Sequence, residues 1–301
     1  MISFVIPIKN EAASLLILYH ELTGVLAKLK TPYEIIFIND GSTDRTKEIL
    51  TSLTKKNKKT RVFHFRANFG KSAALAFGFG QAQGSTIVTM DADLQDNPVD
   101  IPAMLQKLRL GYDLVVGWRK TRHDDWKKLV STYLFNTGTR LLSAVPLHDY
   151  NCGLKVIRTD IAKRLDLHGE LHRFIPVLVA KLKYRVTELP VHHRRRRYGI
   201  SKFGLERGWR GMIDLLTVLF LTQYEGKPAH FFSLIGFFLF CIGFLFDGYV
   251  TYLKITTGTI QRHTPLLLAG ILFIVVGLQL ISTGLIAELI ITNSHKPHDY
   301  E

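Results

Sequence analysis

Two long apolar runs near the end of the chain restrict its fold more than any other feature of the sequence. The first covers residues 231–253 and contains one charged residue, Asp247; the second covers residues 266–291, with Glu288 near its end. A helix rises about 1.5 Å per residue, so each run is long enough to cross a bilayer. One such run alone would also suit a buried helix. Two in succession, joined by a short polar linker, predict a transmembrane hairpin.

Basic residues are concentrated before the first run and predict its orientation. They are Arg194, Arg195, Arg196, Arg197, Lys202, Arg207, Arg210 and Lys227. The linker between the two runs carries only Lys254 and Arg262. Because Lys and Arg beside membrane spans stay on the cytoplasmic side, we expect the N-terminal domain and both chain termini in the cytoplasm.

The formal net charge of +14 restricts the partners of the chain. An excess of this size suits nucleic acid, anionic lipid or phosphate-containing ligands. The basic residues crowd towards the membrane end of the domain, and the sequence has no recognition-helix or aromatic RNA-binding pattern. We therefore expect membrane lipid and phosphate ligands as partners, and no nucleic acid.

Short apolar runs alternate with segments of helical periodicity in the N-terminal part, which is typical of βα units around a mostly parallel sheet. We predict strands at residues 2–8, 34–39, 61–65, 86–90 and 113–117. The helices between them are predicted at about 11–29, 43–53, 71–82 and 98–108. Ligands bind outside the carboxyl ends of the strands in such sheets, so we expect a site there.

Asp91 and Asp93 follow directly after one of these strands. Side chains at i and i+2 of a strand share a face, so the two carboxylates are expected to point to one spot. Their repulsion would be relieved by a divalent cation such as Mg²⁺ or Mn²⁺, bound together with diphosphate oxygens. A solvated strand-to-loop turn is the alternative interpretation of the tripeptide alone.

Residues 205–223 have an amphipathic pattern. The apolar residues at helical spacing are Leu205, Trp209, Met212, Ile213, Leu216 and Phe220. A core helix and a helix lying on the bilayer surface would both show this pattern. We divide the chain into a cytoplasmic domain (residues 1–204), an amphipathic interfacial segment (205–228) and a transmembrane hairpin with a short cytoplasmic tail (229–301).

Five motifs, taken in order, resemble those of a known family. They are VIPIKNE (5–11), INDGSTD (38–44), NFGK (68–71), DADLQD (91–96) and RYGISKF (197–203). They are similar to the motifs of inverting family-2 glycosyltransferases with the GT-A fold. The closer similarity is to the polyprenyl-phosphate glycosyltransferases, the group of dolichol-phosphate mannose synthase and the undecaprenyl-phosphate glucosyltransferases. The resemblance covers essentially the whole chain and implies an α/β domain with a mostly parallel central sheet.

The resemblance also implies roles for individual residues. The donor-binding positions are Pro7, Lys9, Glu11, Asp40, Asp91, Ala92, Asp93, Gln95, Arg197 and Lys202. Asp93 and Gln95 would hold the Mg²⁺ or Mn²⁺ ion, and Asp91 would lie beside the diphosphate or the sugar. Lys9 departs from the aromatic residue often found at its position.

The acceptor is expected to be a lipid phosphate. Such a phosphate is already ionised near neutral pH, since its second pKa is about 6, and needs cations rather than a general base. Arg119 matches a family position and is the leading candidate, with Arg122, Lys127 and Lys128 after it. A solvated basic loop is the alternative for the last three. Asp91, Asp93 and Arg119 are the residues that we expect to be catalytic.

The resemblance implies transfer of a hexose from UDP-glucose or GDP-mannose to undecaprenyl or dolichyl phosphate at the cytoplasmic leaflet. A modified arabinose donor is also compatible with the sequence. One alternative is a family-2 transferase that acts on a sugar hydroxyl or a growing polysaccharide, but the Gln-x-x-Arg-Trp motif is missing. Another is an inactive membrane scaffold, which the intact Asp91, Asp93 and Lys202 disfavour. Glycines in both spans would allow close packing, and a homo-oligomer is left open.

Overall fold

Two units make up the chain, residues 1–218 and residues 219–301. The computed structural model describes residues 1–120, 126–195 and 227–294, together with Ile213 and Thr217. Most of the interfacial segment that the sequence predicts therefore lies outside the described residues, and its amphipathic helix stays a prediction.

A sheet of seven strands forms the centre of the described part of the first unit. The strands are β1 (Ile2–Ile8), β2 (Tyr33–Asn39), β3 (Thr60–His64), β4 (Thr86–Thr89), β5 (Leu114–Trp118), β6 (Lys155–Arg158) and β7 (Val186–Pro190). They lie in the order β3-β2-β1-β4-β6-β5-β7. All pairs are parallel except those that β6 makes with β4 and β5. The α/β class and the mostly parallel sheet are thus confirmed.

Helices cover the sheet because its strands are apolar on both faces. Phe4, Val5 and Ile6 of β1 alternate between the two faces, and all three are fully buried. The helices of this unit are α1 (Ala12–Leu29), α2 (Thr46–Lys56), α3 (Lys71–Gln81), α4 (Ile101–Arg109), α5 (Trp126–Ser143), α6 (Thr159–Ala162) and α7 (Ile175–Lys181). Short 3₁₀ turns at Pro98–Asp100 and Leu171–Phe174 precede α4 and α7.

The predicted elements up to β5 agree with the structure to within a few residues. The largest difference is at α2, which begins at Thr46 because the polar residues before it form loop hydrogen bonds. The backbone N–H of Asn10 donates to the Ser42 hydroxyl at 2.9 Å, and the N–H of Thr46 donates to Asp44 Oδ1 at 3.0 Å. Strands β6 and β7 have no counterpart in the prediction.

Two long apolar helices form the described part of the second unit, α8 (Pro228–Thr257) and α9 (Thr264–Ser294). By length and composition both could span a membrane, and so could α1. However, Leu15, Leu18 and Leu22 of α1 are fully buried, which marks α1 as a helix of the domain core. The predicted spans lie within α8 and α9.

Helices α8 and α9 approach each other closely where both carry glycine. A Cβ atom added to Gly236 would lie 2.5 Å from the carbonyl oxygen of Gly277, and one added to Gly243 would lie 2.5 Å from that of Gly270. Small residues allow this approach between membrane helices. At the start of α8, the backbone N–H of Ala229 donates to Glu288 Oε2 of α9 at 3.1 Å. Glu288 therefore binds an N–H group at the N-terminus of α8, where the helix itself offers no acceptor.

Gly41 has a backbone conformation that requires glycine. Its φ is +63°, and an added Cβ would lie 2.5 Å from the carbonyl carbon of Ala67. We expect Gly41→Ala to lower the free energy of unfolding by about 1–3 kcal/mol. The alanine would be strained at this positive φ, and its Cβ would clash with backbone atoms, which cannot move aside as a side chain can. Gly80→Ala is the matched control, since Gly80 lies in α3 with open space around it. Thermal unfolding of the detergent-solubilised protein measures both; equal melting temperatures would contradict the prediction.

Candidate active site

The carboxyl ends of β1, β2 and β4 surround an open cavity of about 260 Å³. Ile8 lies opposite Asn39 in the β1–β2 pair, so Lys9 and Asp40 follow at the same edge of the sheet. The cavity is lined by Pro7, Ile8, Lys9, Glu11, Asp40, Asn68, Lys71, Asp91, Ala92 and Asp93. Every donor-binding residue predicted from Pro7 to Asp93 is in this lining. Their roles stay predictions, and the structure adds Ile8, Asn68 and Lys71.

Asp40 organises the loop that leads into α3. It is only 4% exposed, and its two carboxylate oxygens accept the backbone N–H groups of Phe69 and Gly70 at 2.7 and 3.0 Å. Gly70 is the residue before Lys71, the first residue of α3. The acid at the end of β2 thus fixes the loop from which Lys71 extends into the cavity.

Asp91 forms an ion pair with Lys71. The Nζ atom of Lys71 donates to Asp91 Oδ1 at 2.5 Å. Burial by itself raises the pKa of Asp91. The charge of Lys71, the hydrogen bond from Lys71 and the charge of Lys155 together lower it by more than burial raises it, so the pKa of Asp91 lies below the usual value. Gly153 leaves room for this carboxylate, because an added Cβ there would lie 2.6 Å from Asp91 Cγ.

Asp96 supports the turn that carries the aspartates. Its Oδ2 atom accepts the backbone N–H of Asp91 at 3.2 Å. Burial, followed by the charge of Asp91, raises the pKa of Asp96 to about 7, while the charge of Arg119 acts in the opposite direction. Leu94 has a φ of +63°, which makes the turn tight, and the N–H of Gln95 donates to Asp93 Oδ1 at 3.2 Å.

The residues present fit a divalent cation that is bound by one protein carboxylate and, for the rest, by the diphosphate of a bound nucleotide sugar. No group of three His, Cys, Asp or Glu side chains that could hold a metal occurs among the described residues. Asp93 lines the cavity, whereas Gln95 is not among the described lining residues and its side-chain N–H lies 3.5 Å from the Arg194 carbonyl oxygen. One carboxylate with diphosphate oxygens suits Mg²⁺ or Mn²⁺, and Gln95 as a ligand stays a prediction.

Arg119 follows β5 and is held by a buried acid. Its Nε and Nη2 atoms donate to the two oxygens of Asp149 at 2.7 and 3.0 Å, and Asp149 is 1% exposed. Burial lowers the pKa of Arg119, but Asp149 more than offsets this and raises it above the usual value. The guanidinium is therefore charged and fixed in orientation.

The other predicted phosphate-binding residues cannot be placed. Arg122, Arg197 and Lys202 lie outside the described residues. Lys127 and Lys128 are in the first turn of α5, where only the backbone is described.

His172 lies beside Asp91 and was not predicted from the sequence. The Ser72 hydroxyl accepts the backbone N–H of His172 at 3.0 Å and lies 3.0 Å from its Nδ1. Burial and the cations Lys71, Arg173 and Lys155 lower the pKa of His172 to about 2. A neutral imidazole that accepts the Ser72 hydroxyl proton at Nδ1 fits this arrangement.

The sheet order and the acid-lined cavity at its edge define a GT-A-like transferase fold. Residues 3–166 match the family described as Glycosyl transferase family 2. The chain belongs to glycosyl transferase family 2, as the motifs predict.

Relatives with established names are similar over almost the whole chain. The chain is 36% identical over 294 residues to dodecaprenyl-phosphate galacturonate synthase of Rhizobium johnstonii, covering 96% of this chain and 87% of the relative. It is 34% identical over 293 residues to undecaprenyl-phosphate 4-deoxy-4-formamido-L-arabinose transferase of Aeromonas hydrophila subsp. hydrophila, covering 96% and 88%. These homologues transfer sugars to polyprenyl phosphates, which confirms the predicted group.

Solved structures support the fold. Glucosyl-3-phosphoglycerate synthase from Mycobacterium tuberculosis, in complex with phosphoglyceric acid, has a TM-score of 0.57 at 18% identity and covers 73% of this chain and 80% of that chain. Its complex with Mn²⁺, UDP-glucose and phosphoglyceric acid has a TM-score of 0.55 at 16% identity, covering 74% and 79%. At this identity the likeness shows the GT-A-like fold alone.

Acid should destabilise the domain through His172. Its native pKa of about 2 lies below the value of 6.5 for a free imidazole, so the unfolded chain binds the proton first. The stability from this group is present above pH 6.5 and is lost as the pH falls below it, by up to about 1.4 kcal/mol per pH unit. Denaturant unfolding at several pH values measures this loss. His172→Gln should reduce the pH dependence, and His168→Gln, at an exposed histidine, should not; equal slopes in the two variants would contradict the assignment.

Proposed function

We propose that this protein transfers a sugar from a nucleoside diphosphate sugar to a polyprenyl phosphate, inverting the anomeric centre. The observation that carries the proposal is the convergence of Lys9, Glu11, Asp40, Asp91 and Asp93 on one cavity at the strand ends. This is where open α/β sheets bind ligands. The polyprenyl-phosphate transferases that are 34–36% identical over nearly the whole chain support the choice of acceptor.

The donor would lie across the ends of β1, β2 and β4. Glu11 would offer carboxylate oxygens to the N–H and O–H groups of a base and ribose. Asp40 also lines the cavity, but because its two oxygens accept the N–H groups of Phe69 and Gly70, it would contribute through a remaining lone pair or through the loop that it fixes. Asp93 would hold Mg²⁺ or Mn²⁺ against the diphosphate, and the ion would stabilise the charge on the departing nucleoside diphosphate. Lys71 also lines the cavity and adds a second positive charge beside the phosphates.

The state of Asp91 favours a lipid phosphate over a sugar hydroxyl as the acceptor. A sugar hydroxyl needs a base to take its proton. Asp91 is occupied by Lys71, and its lowered pKa makes it a weaker base. An ionised phosphate needs no base, only a cation that holds it in line with the anomeric carbon. Arg119, fixed by Asp149, is the cation that we propose for this role, although it is not among the described residues that line the donor cavity.

The identity of the sugar is the finer part of the proposal. The sequence predicts a hexose donor, UDP-glucose or GDP-mannose. The relatives are named for galacturonate, which is a hexose-derived acid, and for a modified arabinose, which is a pentose. We propose a hexose or hexuronic acid first, because the sequence predicts a hexose and one of the two relatives is named for a hexose-derived acid.

We further propose that α8 and α9 cross the membrane and that the catalytic domain and both termini are cytoplasmic. Both helices are long and apolar enough to span a bilayer. The excess of Lys and Arg before α8, compared with Lys254 in the last turn of α8 and Arg262 in the linker, supports this orientation. A cytoplasmic domain would meet nucleotide sugars and the lipid phosphate at the same leaflet.

A donor screen tests the proposed function. Purified full-length protein in nanodiscs would receive undecaprenyl phosphate, Mn²⁺ and, one at a time, UDP-glucose, UDP-galacturonic acid, GDP-mannose and UDP-4-deoxy-4-formamido-L-arabinose. We expect one donor to give a glycosylated lipid detected by mass spectrometry. Asp93→Ala should reduce the product at least about 1,000-fold, because the metal and diphosphate lose their protein ligand. Asp160→Ala, at an exposed acid, is the control. Undiminished turnover of Asp93→Ala would refute the metal assignment.

Arg119→Ala should chiefly weaken use of the lipid acceptor. We expect the KM for undecaprenyl phosphate to rise about tenfold or more and the KM for the donor to change less than about twofold, since a charge-assisted contact to the acceptor is lost. Arg119→Lys keeps the charge and should fall between Arg119→Ala and the wild type. Arg158→Ala, at an exposed arginine, is the control for a general loss of charge. An effect confined to the donor would reassign Arg119.

A further inference from the structure

Lys155, the first residue of β6, is a buried cation without a role in the proposed function. It is 5% exposed and lies with Lys71, Asp91 and His172 around a small cavity that shares Lys71 and Asp91 with the donor cavity. Its ammonium group donates a hydrogen bond to the carbonyl oxygen of Cys152. Burying a lysine against a neutral carbonyl is unfavourable, because desolvation of the charge is only partly compensated.

The hydrogen bond from Lys155 fixes a segment that packs against Asp91. Residues 151–153, called the arch below, bring Gly153 against this carboxylate. Gly153 is so close that an added Cβ would lie 2.7 and 2.8 Å from the two oxygens of Asp91. The Thr89 hydroxyl holds the arch from β4 by donating to the Gly153 carbonyl at 2.8 Å, and Lys155 holds it from β6 through Cys152.

The charge of Lys155 acts on Asp91 as well. Lys71 forms the direct ion pair, and the charge of Lys155 is a further cause of the lowered pKa of Asp91. Two cations thus stabilise the ionised carboxylate, and the arch limits where its oxygens can lie.

We infer that Lys155 is a positioning residue, which holds Asp91 in one orientation at the wall of the donor cavity. This inference rests on the proposed function, in which Asp91 lies beside the donor sugar and diphosphate. Lys155 itself need not touch the substrate. If the Cys152 carbonyl lost its hydrogen bond from Lys155, the arch would shift and Asp91 would no longer be held in place. The donor sugar would then be misplaced, which would reduce the rate of transfer rather than the affinity for the nucleotide.

A pH profile separates this role from a merely structural one. The charged and titratable groups that face Lys155 are Lys71, Asp91, Asp149, Cys152 and His172. Burial lowers the pKa of Lys155 to about 8, so its charge is present below that pH and is lost above it. Cys152 and His172 do not titrate in this range, because their pKa values are about 12 and about 2. Asp96, which accepts the backbone N–H of Asp91, has a pKa of about 7 and therefore loses its proton before Lys155 does. We expect kcat to fall as the pH rises through about 8.

The experiment uses full-length protein in nanodiscs, Mn²⁺, undecaprenyl phosphate and the donor that the screen identifies. Lys155→Met, of similar length, should lower kcat by about 100-fold at pH 7 and abolish the fall near pH 8, with the Kd for UDP unchanged within about twofold. Lys155→Arg keeps a charge that does not titrate near pH 8; it should retain part of the activity and move the fall to higher pH. Lys181→Met, at a lysine outside both cavities, is the control.

Two results would overturn the inference. One is a folded Lys155→Met protein with kcat within about threefold of the wild type and the same pH profile. The other, which stands even if Lys155→Met does not fold, is Lys155→Arg with the alkaline fall still near pH 8. Hydrolysis of the donor without lipid is measured in parallel. If the wild type hydrolyses the donor but transfers nothing to the lipid, the acceptor proposal fails while the Lys155 test can still be read from hydrolysis.

Discussion

The ion pair between Lys71 and Asp91 is the interaction on which the rest of the site depends. The carboxylates of Asp91 and Asp96 lie close together after β4, and the charge of Asp91 raises the pKa of Asp96, so a cation is needed to stabilise the pair. Lys71 supplies that cation at 2.5 Å. Its position depends in turn on Asp40, which binds the N–H groups of Phe69 and Gly70 just before α3. Asp40, after β2, therefore positions Lys71, whose positive charge balances that of Asp91 after β4.

The sheet order explains how distant parts of the chain meet at this pair. Strand β1 lies between β2 and β4, so the polar residues after all three strands share one edge. Strand β6 runs in the opposite direction beside β4, and the residues before it therefore arrive at that same edge. Because β6 is antiparallel, Gly153 lies against Asp91, and Lys155 follows two residues later and binds the Cys152 carbonyl. The segment before the antiparallel strand thus covers one side of Asp91, and the other side of Asp91 lines the donor cavity.

The sequence predicts the elements whose signals are local and not the contacts that depend on tertiary structure. Strands β1 to β5 are apolar runs bounded by turns, and Asp91 and Asp93 are recognisable because they follow one of them. Strand β6 is short and begins with a charged residue, Lys155, which looks like a surface position. Arg119 could be predicted because it matches a family position, but its partner Asp149 is 30 residues away and His172 is 100 residues from Ser72. Nothing in the local pattern indicates such pairs.

The glycines of the membrane helices limit how two copies of this protein could associate. Gly236 and Gly243 of α8 face α9, and Gly270, Gly277 and Gly284 of α9 face α8. These five glycines are therefore buried between the two helices of one chain and cannot contact a second chain. The outward side carries bulky rings such as Phe237, Phe238 and Phe244. Gly248 of α8 is the exception, since it is exposed and has open space around it. Away from Gly248, a second chain that docks sideways within the lipid would pack between these rings, a looser and more adaptable contact than backbone contact between glycines.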